Sequence, residues 1–291
     1  MKNYLRKMIA GIQRYGLLRA VRGLTTFARF VISKPHRGQI ATRTDDLHIS
    51  FNYPSQFMPT LVIFREFVEP EFEFLRRILQ PDAVFFDVGG GIGAYSLTAA
   101  RFCSGPIYIF EPLQENVSTI KENLQANNLH SQVTVNEVAL SDLDGYGRMH
   151  TEETLFVSKL GNTFDDNQDG SVKVVKLDTY CLENHIEHID VIKIDVEGHE
   201  EKVIEGAKAL LQNNKVDILI LEINPSLGAF YSSLEKRGFT LFFYDYRANS
   251  LVRFSPFDYE RVESAMPSVF HSNIILIRNE LTKSIEQRLS R

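Results

Sequence analysis

The 291-residue sequence has two cysteines, no tryptophan and no apolar run long enough to cross a bilayer. Cys103 and Cys181 lie 78 positions apart, which excludes a disulfide framework or a zinc ribbon and favours a reducing cytoplasm. Arginines interrupt every window of about 20 residues that a spanning helix near the amino terminus would need. No clear signal-peptide cleavage site follows them. The apolar share of 44% is enough for a folded core and excludes a largely disordered chain. The length fits one domain with additional segments.

Acidic residues are missing from the first 44 positions, which hold ten Lys and Arg residues instead. The remaining chain therefore carries a formal charge of −15. A surface that binds a nucleic-acid duplex needs cations to neutralise phosphates, so we expect no nucleic-acid partner for this acidic body. We divide the chain into a basic helical arm with its linker, residues 1–44, and a catalytic domain, residues 45–291.

The arm is predicted to be an amphipathic helix that ends near a linker at residues 34–38. Its apolar face contains Leu17, Val21, Leu24, Ala28 and Val31. The arginines on the opposite side are Arg19, Arg22 and Arg29. Two interpretations stay open: peripheral contact of residues 1–36 with an anionic inner membrane surface, or packing against the domain or against an identical subunit in a homodimer.

From about residue 65, helix-like and strand-like segments alternate at the spacing of βαβ units. Helices are predicted at 66–79, 94–102, 114–127, 200–211 and 226–237. Strands are predicted at 83–88, 107–110, 132–138, 191–194, 216–221, 239–244 and 273–277. This alternation predicts an α/β fold with a doubly wound, mostly parallel sheet.

A glycine-rich loop follows the first predicted strand of the sheet and contains Gly89, Gly91 and Gly93. Glycine lets the backbone turn sharply and approach a ligand at the carboxyl end of a strand. The same residues satisfy the dinucleotide pattern, so an NAD(P)-linked oxidoreductase is one alternative.

Two carboxylates flank this loop and favour a different cofactor. Asp87 ends the first strand, where its charge would repel a pyrophosphate but attract the ammonium and sulfonium groups of S-adenosylmethionine (SAM). The alternative role of Asp87 is to brace the loop or cap the helix. Glu111 ends the next strand, 20 residues after Gly91, and suits the ribose hydroxyls of either cofactor.

A second pair of carboxylates is predicted farther along the same edge of the sheet, where Asp195 and Glu222 follow neighbouring strands. They suit an orienting role or a general base for a hydroxyl, and His199 is a further candidate for that base. Asp195, Glu222 and Asn224 also carry oxygen ligands that Mg²⁺ accepts, so a magnesium-assisted variant is an alternative, although we assign no metal ligands.

Two other patterns resemble metal sites only superficially. Residues 165–170 begin like a calcium-binding loop, but Lys176 stands where the closing glutamate belongs, so a polar hairpin turn is predicted. His185 and His188 are three apart without a third ligand, which gives no zinc site.

Eight stretches together resemble the FkbM family of SAM-dependent methyltransferases, and they span about 140 positions. They are residues 86–96, 110–112, 138–142, 144–145, 177–178, 189–200, 205–207 and 220–222. The resemblance implies a seven-stranded Rossmann-like sheet whose last strand, 273–277, inserts antiparallel. It implies that Asp87 and the three loop glycines hold the methionine part of SAM, Glu111 the ribose, and Ala139 to Asp142 the adenine. The family usually has Ala-Asn where this chain has Gly90 and Gly91, so one asparagine contact is missing.

The sequence thus predicts a cytoplasmic SAM-dependent O-methyltransferase of FkbM type. The resemblance to this family and the membrane-compatible arm favour a hydroxyl of a glycan or glycosylated metabolite as the acceptor. The alternatives are the NAD(P)-dependent oxidoreductase and a non-catalytic protein that binds a membrane surface or a partner.

Overall fold

The structure of the protein, a computed structural model, describes residues 2–33, 37–52, 58–152, 157–164, 170–224, 227–258 and 273–290. The helices are α1 (Lys2–Tyr15), α2 (Leu17–Ser33), α3 (Met58–Phe64), α4 (Pro70–Ile78), α5 (Ala94–Ala99), α6 (Gln114–Ala126), α7 (Leu177–Glu183), α8 (Glu200–Glu205), α9 (Lys208–Gln212), α10 (Gly228–Lys236) and α11 (Thr282–Leu289). The strands are β1 (Arg37–Ala41), β2 (His48–Asn52), β3 (Phe85–Val88), β4 (Ile107–Phe110), β5 (Val133–Asn136), β6 (Ala139–Leu140), β7 (Gly145–Glu152), β8 (Val157–Phe164), β9 (Val172–Val175), β10 (Ile189–Ile194), β11 (Val216–Glu222), β12 (Phe239–Asp245), β13 (Ser250–Arg253) and β14 (Asn273–Arg278).

The predicted doubly wound sheet is confirmed. Its strands lie in the order β13, β12, β14, β11, β10, β3, β4, β5. Strands β11, β10, β3, β4 and β5 are parallel, and β14 inserts antiparallel between β11 and β12, as the resemblance implied. The winding reverses between β3 and β10, so a crevice opens at the carboxyl ends of these two strands, the usual position of a ligand site.

The sheet has eight strands where seven were expected. The additional strand, β13, pairs antiparallel with β12 across a tight turn, with Asp245 opposite Ser250. Its residues are half-buried or exposed, because an edge strand packs on one side only. A short strand of this kind lacks the continuous apolar run that marks the central strands, which is why the pattern did not reveal it.

Alternate residues of each central strand point to opposite faces of the sheet. One face, which includes Phe85 and Ile220, packs against α4, α5, α6 and α11. The other face, which includes Phe86 and Leu221, packs against α7, α8, α9 and α10. The alternation places Asp87 and Lys193, register partners on β3 and β10, on the face of α4 and α5.

Two smaller sheets complete the described strands. Strands β6, β9, β7 and β8 form a four-stranded sheet, and β1 pairs antiparallel with β2. The sequence pattern predicts only an irregular stretch between residues 138 and 191, so the four-stranded sheet was not predicted. Most of the predicted hairpin turn, 165–169, and most of the predicted linker, 34–36, lie outside the described residues.

The arm packs on the body of the protein through ion pairs. They are Lys7–Glu69 at 2.9 Å, Arg14–Glu73 at 3.2 Å and Arg19–Glu66 at 3.1 Å. Of the three arginines predicted opposite the apolar face, Arg19 pairs with the body, whereas Arg22 and Arg29 are exposed. Glu66 is buried, and a buried carboxylate requires charged or hydrogen-bonded partners, which Arg19 helps to supply.

The apolar face predicted for the second helix of the arm points away from the body. The inward face of α2 is formed by small and aromatic residues: Ala20 is buried, and a Cβ on Gly23 would overlap the backbone of Ile63. The exposed large apolar residues of α2 are Leu17, Leu18, Val21, Leu24, Val31 and Ile32. Among the described residues, no helix combines the length and apolar character needed to cross a bilayer.

Candidate active site

The glycine-rich loop connects β3 to α5 at the carboxyl edge of the sheet. Gly89, Gly91 and Gly93 have φ angles of 79°, 57° and 80°, the left-handed region that favours glycine. A Cβ on Gly89 would overlap the carbonyl oxygen of Asp195, so this residue must also be glycine to let the two loops meet. The loop therefore has the compact shape and bare backbone of a ligand cradle.

Asp87 lies buried beneath this loop. Its Oδ2 accepts hydrogen bonds from the Ser96 backbone N–H at 3.1 Å and from the Ser96 hydroxyl at 2.7 Å. Burial raises the pKa of Asp87 to about 6, so the carboxyl group is mostly ionised at neutral pH. Asp87 thus braces the first turn of α5 and also brings negative charge to the cradle.

Glu111 follows β4 and reaches back to the glycine loop. Its Oε2 accepts a hydrogen bond from the Gly91 N–H at 2.9 Å, and its Oε1 accepts one from the Leu113 N–H at 3.0 Å. Burial raises the pKa of this carboxyl group above its ordinary value. The side chain ties two loops together beside the cradle, at the strand end where the sequence expected it.

The predicted adenine segment runs from Ala139 in β6 to Asp142. Asp142 Oδ2 lies 2.8 Å from Lys202 Nζ, and its Oδ1 accepts a hydrogen bond from the Ser141 hydroxyl at 3.1 Å. Burial opposes ionisation, but these hydrogen bonds outweigh it and lower the pKa of Asp142. The segment is held against the start of α8 by this ion pair.

His199 lies with the adenine segment. Its Nε2 is 2.8 Å from Ser141 Oγ, and burial lowers the pKa of the imidazole. In the described part of the chain, no hydrogen bond or ion pair joins His199 to Asp195 or Glu222. The structure therefore does not bring the three candidate catalytic residues into one constellation.

Asp195 begins the loop after β10 and is held by a buried lysine. Lys193 Nζ lies 3.0 Å from Asp195 Oδ2, and only 1% of the Lys193 side chain is exposed. The ammonium group also lies 5.3 Å from the centroid of the Tyr95 ring, in cation-π range. A buried cation requires such partners, so Lys193 fixes the orientation of Asp195.

Glu222 ends β11, the strand next to β10, so the two predicted carboxylates do stand at neighbouring strand ends. Burial raises the pKa of Glu222 to about 8, with further increases from the negative charges of Asp195 and Glu197, while Lys193 opposes them. A carboxyl group that titrates near neutral pH at a strand end is suited to accept a proton.

Glu71 is a residue of the site that no sequence pattern indicated. It lies on α4 and is fully buried, and its own backbone and the Asn273 side chain stabilise its carboxylate by hydrogen bonding. Burial raises the pKa of Glu71 to about 7, and Lys193 and the Asn273 side chain act in the opposite direction. Glu71 therefore faces the same buried ammonium group as Asp195, from the helix side.

The sequence does mark Lys193 as unusual, because it is the single cation in the apolar strand β10. No such pattern marks Glu71. It stands among the acidic residues of the first turn of α4, where a glutamate is ordinary, and only the packing of α4 on the sheet brings it to the site.

The magnesium alternative gains no support from the geometry. Among the His, Cys, Asp and Glu side chains of the described residues, the group close enough to share an ion is His188, Asp190 and Asp217. These residues lie at the opposite, amino-terminal end of β10 and β11, away from the glycine loop.

Comparison with protein families decides the identity of the domain. A model described as the methyltransferase FkbM domain matches residues 87–241, more than half of the chain. The chain belongs to the FkbM methyltransferase family. It is therefore a methyltransferase, and SAM is the methyl donor that this family implies, which favours the predicted function over the NAD(P)-dependent alternative.

Several curated methyltransferases resemble this FkbM chain at low identity. Methyltransferase 1 of Beauveria bassiana is 26% identical over 184 residues, which cover 55% of this chain and 73% of that protein. The 2-O-methyltransferase NoeI of Sinorhizobium fredii is 28% identical and covers 47% of this chain. Hexuronic acid methyltransferase AglP of Haloferax volcanii is 26% identical and covers 53%. The chain spans 62% of the length of NoeI and 62% of AglP.

Solved structures of methyltransferases also resemble this chain. The precorrin-6y C5,15-methyltransferase of Geobacter metallireducens has 12% identity and a TM-score of 0.42, covering 82% of this chain and 95% of the other. TrmK of M. capricolum, solved with S-adenosylhomocysteine, has 12% identity and a TM-score of 0.38, covering 71% and 66%.

The residues at the carboxyl edge fit a cationic adenosyl cofactor. The loop glycines leave the backbone bare, and two buried carboxylates, Asp87 and Glu111, bring negative charge to adjacent strand ends. A sulfonium is attracted by such charge, and ribose hydroxyls are donors that a carboxylate accepts. A pyrophosphate would instead be repelled.

Proposed function

We propose that this protein is a SAM-dependent O-methyltransferase that acts on a hydroxyl of a sugar, in a glycan or a glycosylated metabolite. The observation that carries the proposal is the placement of Asp195 and Glu222 at neighbouring strand ends beside the glycine loop. Burial also raises the pKa of Glu222 to about 8, which suits a proton acceptor. The printed names of NoeI and AglP, a 2-O-methyltransferase and a hexuronic acid methyltransferase, support a sugar acceptor.

The cofactor contacts of this proposal follow the carboxyl edge of the sheet. Asp87 with Gly89, Gly91 and Gly93 would hold the methionine part of SAM, and Glu111 would accept the ribose hydroxyls. The adenine would lie on the segment from Ala139 to Asp142, which His199 supports through Ser141. The neutral imidazole there serves the adenine side, so the proposal does not use His199 as the base.

Bound SAM would supply an electrophilic methyl group to the acceptor oxygen and keep the electron pair of the broken carbon–sulfur bond on its sulfur. Glu222 takes the hydroxyl proton, and Asp195, held by Lys193, accepts a hydrogen bond from the acceptor and fixes its orientation. The base must be ionised, so activity should rise as the pH increases toward about 8.

The test is transfer of a labelled methyl group from SAM to sugar acceptors, together with calorimetric titration of SAM and NAD. We expect SAM to bind and NAD not to bind. Glu111→Ala should abolish SAM binding, whereas Glu115→Ala, an exposed change on α6, should leave it intact. Binding of NAD but not of SAM, or unchanged SAM affinity in Glu111→Ala, contradicts the proposed cofactor site.

We also propose that α2 lies on an anionic membrane surface. Seven of the ten exposed large apolar side chains in the described residues belong to the arm, and six of these lie on the outer face of α2. Arg22 and Arg29 are exposed at one border of this face, and the arm contains no acidic residue. An apolar stripe bordered by arginines complements the acyl boundary and the phosphates of anionic lipids.

Sedimentation of the full chain with phosphatidylcholine vesicles, with and without phosphatidylglycerol, tests this second proposal. We expect binding only to the anionic vesicles, with loss in Leu18→Glu/Val21→Glu but not in Leu182→Glu, a change at an exposed leucine of α7. Absence of vesicle binding overturns the proposal. So does a dimer that the double variant dissociates, since the outer face of α2 would then contact a second copy.

A further inference from the structure

Negative charge dominates the surroundings of Glu222 at the end of the site where the acceptor must lie. The charged groups that act on this carboxyl group are Asp195, Glu197, Glu200 and Lys193. Three are carboxylates and one is an ammonium group. Glu197 and Asp195 are partly exposed at the carboxyl edge, whereas Glu200 is buried and accepts hydrogen bonds from the Val196 and Gly198 N–H groups.

The one cation of this group is not available to an acceptor. Lys193 is buried, its ammonium group contacts Asp195, and the ring of Tyr95 covers it. A carboxylate on a sugar would have to displace Asp195 from Lys193 or remain unpaired near three carboxylates. Either arrangement is unfavourable, because unpaired charge in a partly buried site has no compensating solvent.

A further buried carboxyl group faces this site from the helix side. Glu71 is 0% exposed, and its own backbone and the Asn273 side chain stabilise its carboxylate by hydrogen bonding. Lys193 and Glu69 also act on it, in opposite directions, and Glu71 acts in turn on the Tyr95 hydroxyl. Asn273 is the register partner of Glu222 across β14 and β11. Burial raises the pKa of Glu71 to about 7, so this carboxyl group adds to the acidic character of the same end of the site.

We propose that the acceptor sugar carries no carboxylate near the methylated hydroxyl, and that an amino sugar is preferred over a neutral one. The inference rests on the proposed function and narrows its substrate class. An ammonium group on the ring would find the partly exposed carboxylates of Asp195 and Glu197, while the hydroxyl groups supply donors.

The same charges affect the proton acceptor. An anionic sugar adds negative charge near Glu222 and makes loss of the Glu222 proton harder, which reduces the fraction of active base. A cationic sugar has the opposite effect, because a positive charge within a few ångströms stabilises the ionised carboxylate. The site therefore discriminates among sugars by repelling an anionic acceptor as much as by attracting a cationic one.

The experiment compares three related acceptors that carry a positive, no or a negative charge: a methyl glucosaminide with its amino group at C2, a methyl glucoside, and a methyl glucuronide with its carboxylate at C6. Formation of the labelled methyl ether, separated from any N-methyl or methyl ester product, is measured as kcat/KM for each. We expect the glucosaminide to be used best and the glucuronide at least about tenfold less well than the glucoside, on the order of one close charge pair.

A charge reversal at the border of the site gives the matched test. Glu197→Lys should raise kcat/KM for the glucuronide relative to the glucosaminide by about tenfold or more. Glu201→Lys, an equal change at an exposed position of α8 that is not among the groups acting on Glu222, should leave this ratio unchanged. Calorimetric SAM affinity verifies that both variants fold.

The outcomes separate this inference from the proposed function. Equal or better use of the glucuronide by the unmodified protein overturns the inference and leaves a sugar O-methyltransferase. An equal change of ratio in both lysine variants also overturns it, because the effect would then be a general one of net charge. If SAM binds but none of the three sugars is labelled, the sugar-acceptor proposal fails and this inference fails with it.

Discussion

Strands β10 and β11 carry charged residues at both ends, and the two ends differ in how these charges are satisfied. At the amino end, His188 Nε2 lies 3.0 Å from Asp217 Oδ2, and Asp190 Oδ2 accepts a hydrogen bond from the Val84 N–H at 2.8 Å. At the carboxyl end, the buried Lys193 is the cation that acts on the carboxyl groups of Asp195, Glu222 and Glu71.

This difference favours the cluster at the carboxyl end as part of the proposed active site. The side chains at the amino end are partly exposed and joined to each other or to the backbone, so they stabilise the strand starts. Burial raises the pKa of Asp217, but His188 opposes this increase. At the carboxyl end, burial raises the pKa of Glu222 to about 8, and Lys193 is the group among the described residues that opposes this increase. A buried carboxyl group with so high a pKa beside a glycine loop points to a ligand site.

The largest expected effect comes from removing the proposed base. Glu222→Gln should lower kcat by roughly 100-fold or more, because a general base contributes on this order, while SAM affinity stays unchanged. Asp217→Asn makes the same chemical change at the other end of β11 and should leave kcat within about twofold. Equal losses in steady-state kcat would mean that the two ends do not differ in function.

A smaller effect is expected from filling the glycine loop. Gly89→Ala should reduce SAM affinity and lower the free energy of unfolding by about 2 kcal/mol or more, because the Cβ overlaps the Asp195 backbone and φ is 79°. Gly170→Ala has a similar φ of 74° in open space and should cost about 1 kcal/mol without a change in SAM affinity. Urea unfolding and calorimetry measure both, and equal effects would show that backbone conformation alone matters.

Removing the buried cation should shift the pH dependence of catalysis. Lys193 lowers the pKa of Glu222, so Lys193→Met should move the midpoint of the rise in kcat from near pH 8 to higher pH, by about one unit. Lys193→Arg keeps the charge and should restore a midpoint near that of the unmodified protein. An unmoved midpoint in Lys193→Met, with SAM still bound, would assign the rise in kcat to a group other than Glu222.

The smallest effect is expected at the amino end. His188→Ala breaks a pair whose histidine side chain is 40% exposed, so the free energy of unfolding should fall by less than about 1 kcal/mol. Methyl transfer and its pH profile should not change. A loss of activity comparable to that of Glu222→Gln would place a functional site at the amino ends of the strands and contradict the proposed site.

Much of the fold could be predicted because its signals are local. Apolar runs marked the central strands, and the glycines after Asp87 marked the first crossover loop. The insertion of β14 came from the resemblance to the family rather than from its own residues. Strand β13 and the four-stranded sheet that contains β7 have no such apolar run. These strands form only through pairing with their neighbours in the sheet.

The candidate site was predicted only in part, for a similar reason. Asp195 and Glu222 follow strands, so topology places them at one edge. Glu71 lies on α4, and no sequence pattern predicts how this helix packs on the sheet. The imidazole of His199, which the sequence suggested as a base, contacts Ser141 of the adenine segment. In the arm, the apolar face predicted for residues 17–31 is the exposed one, because close packing on α3 needs the small residues Ala20 and Gly23.

The most direct test of the central claim is the chemical nature of the methylated product. Labelled SAM is incubated with the protein and either a methyl glucoside, whose possible acceptors are hydroxyl groups alone, or a methyl glucuronide, and the isolated sugar is treated with mild alkali. A methyl ether formed on a hydroxyl resists this treatment, so the label should stay on the sugar with the unmodified protein and with Asp217→Asn, and be nearly absent with Glu222→Gln. Label released as methanol, or equal labelling by all three proteins, would contradict hydroxyl methylation at the carboxyl end of β11.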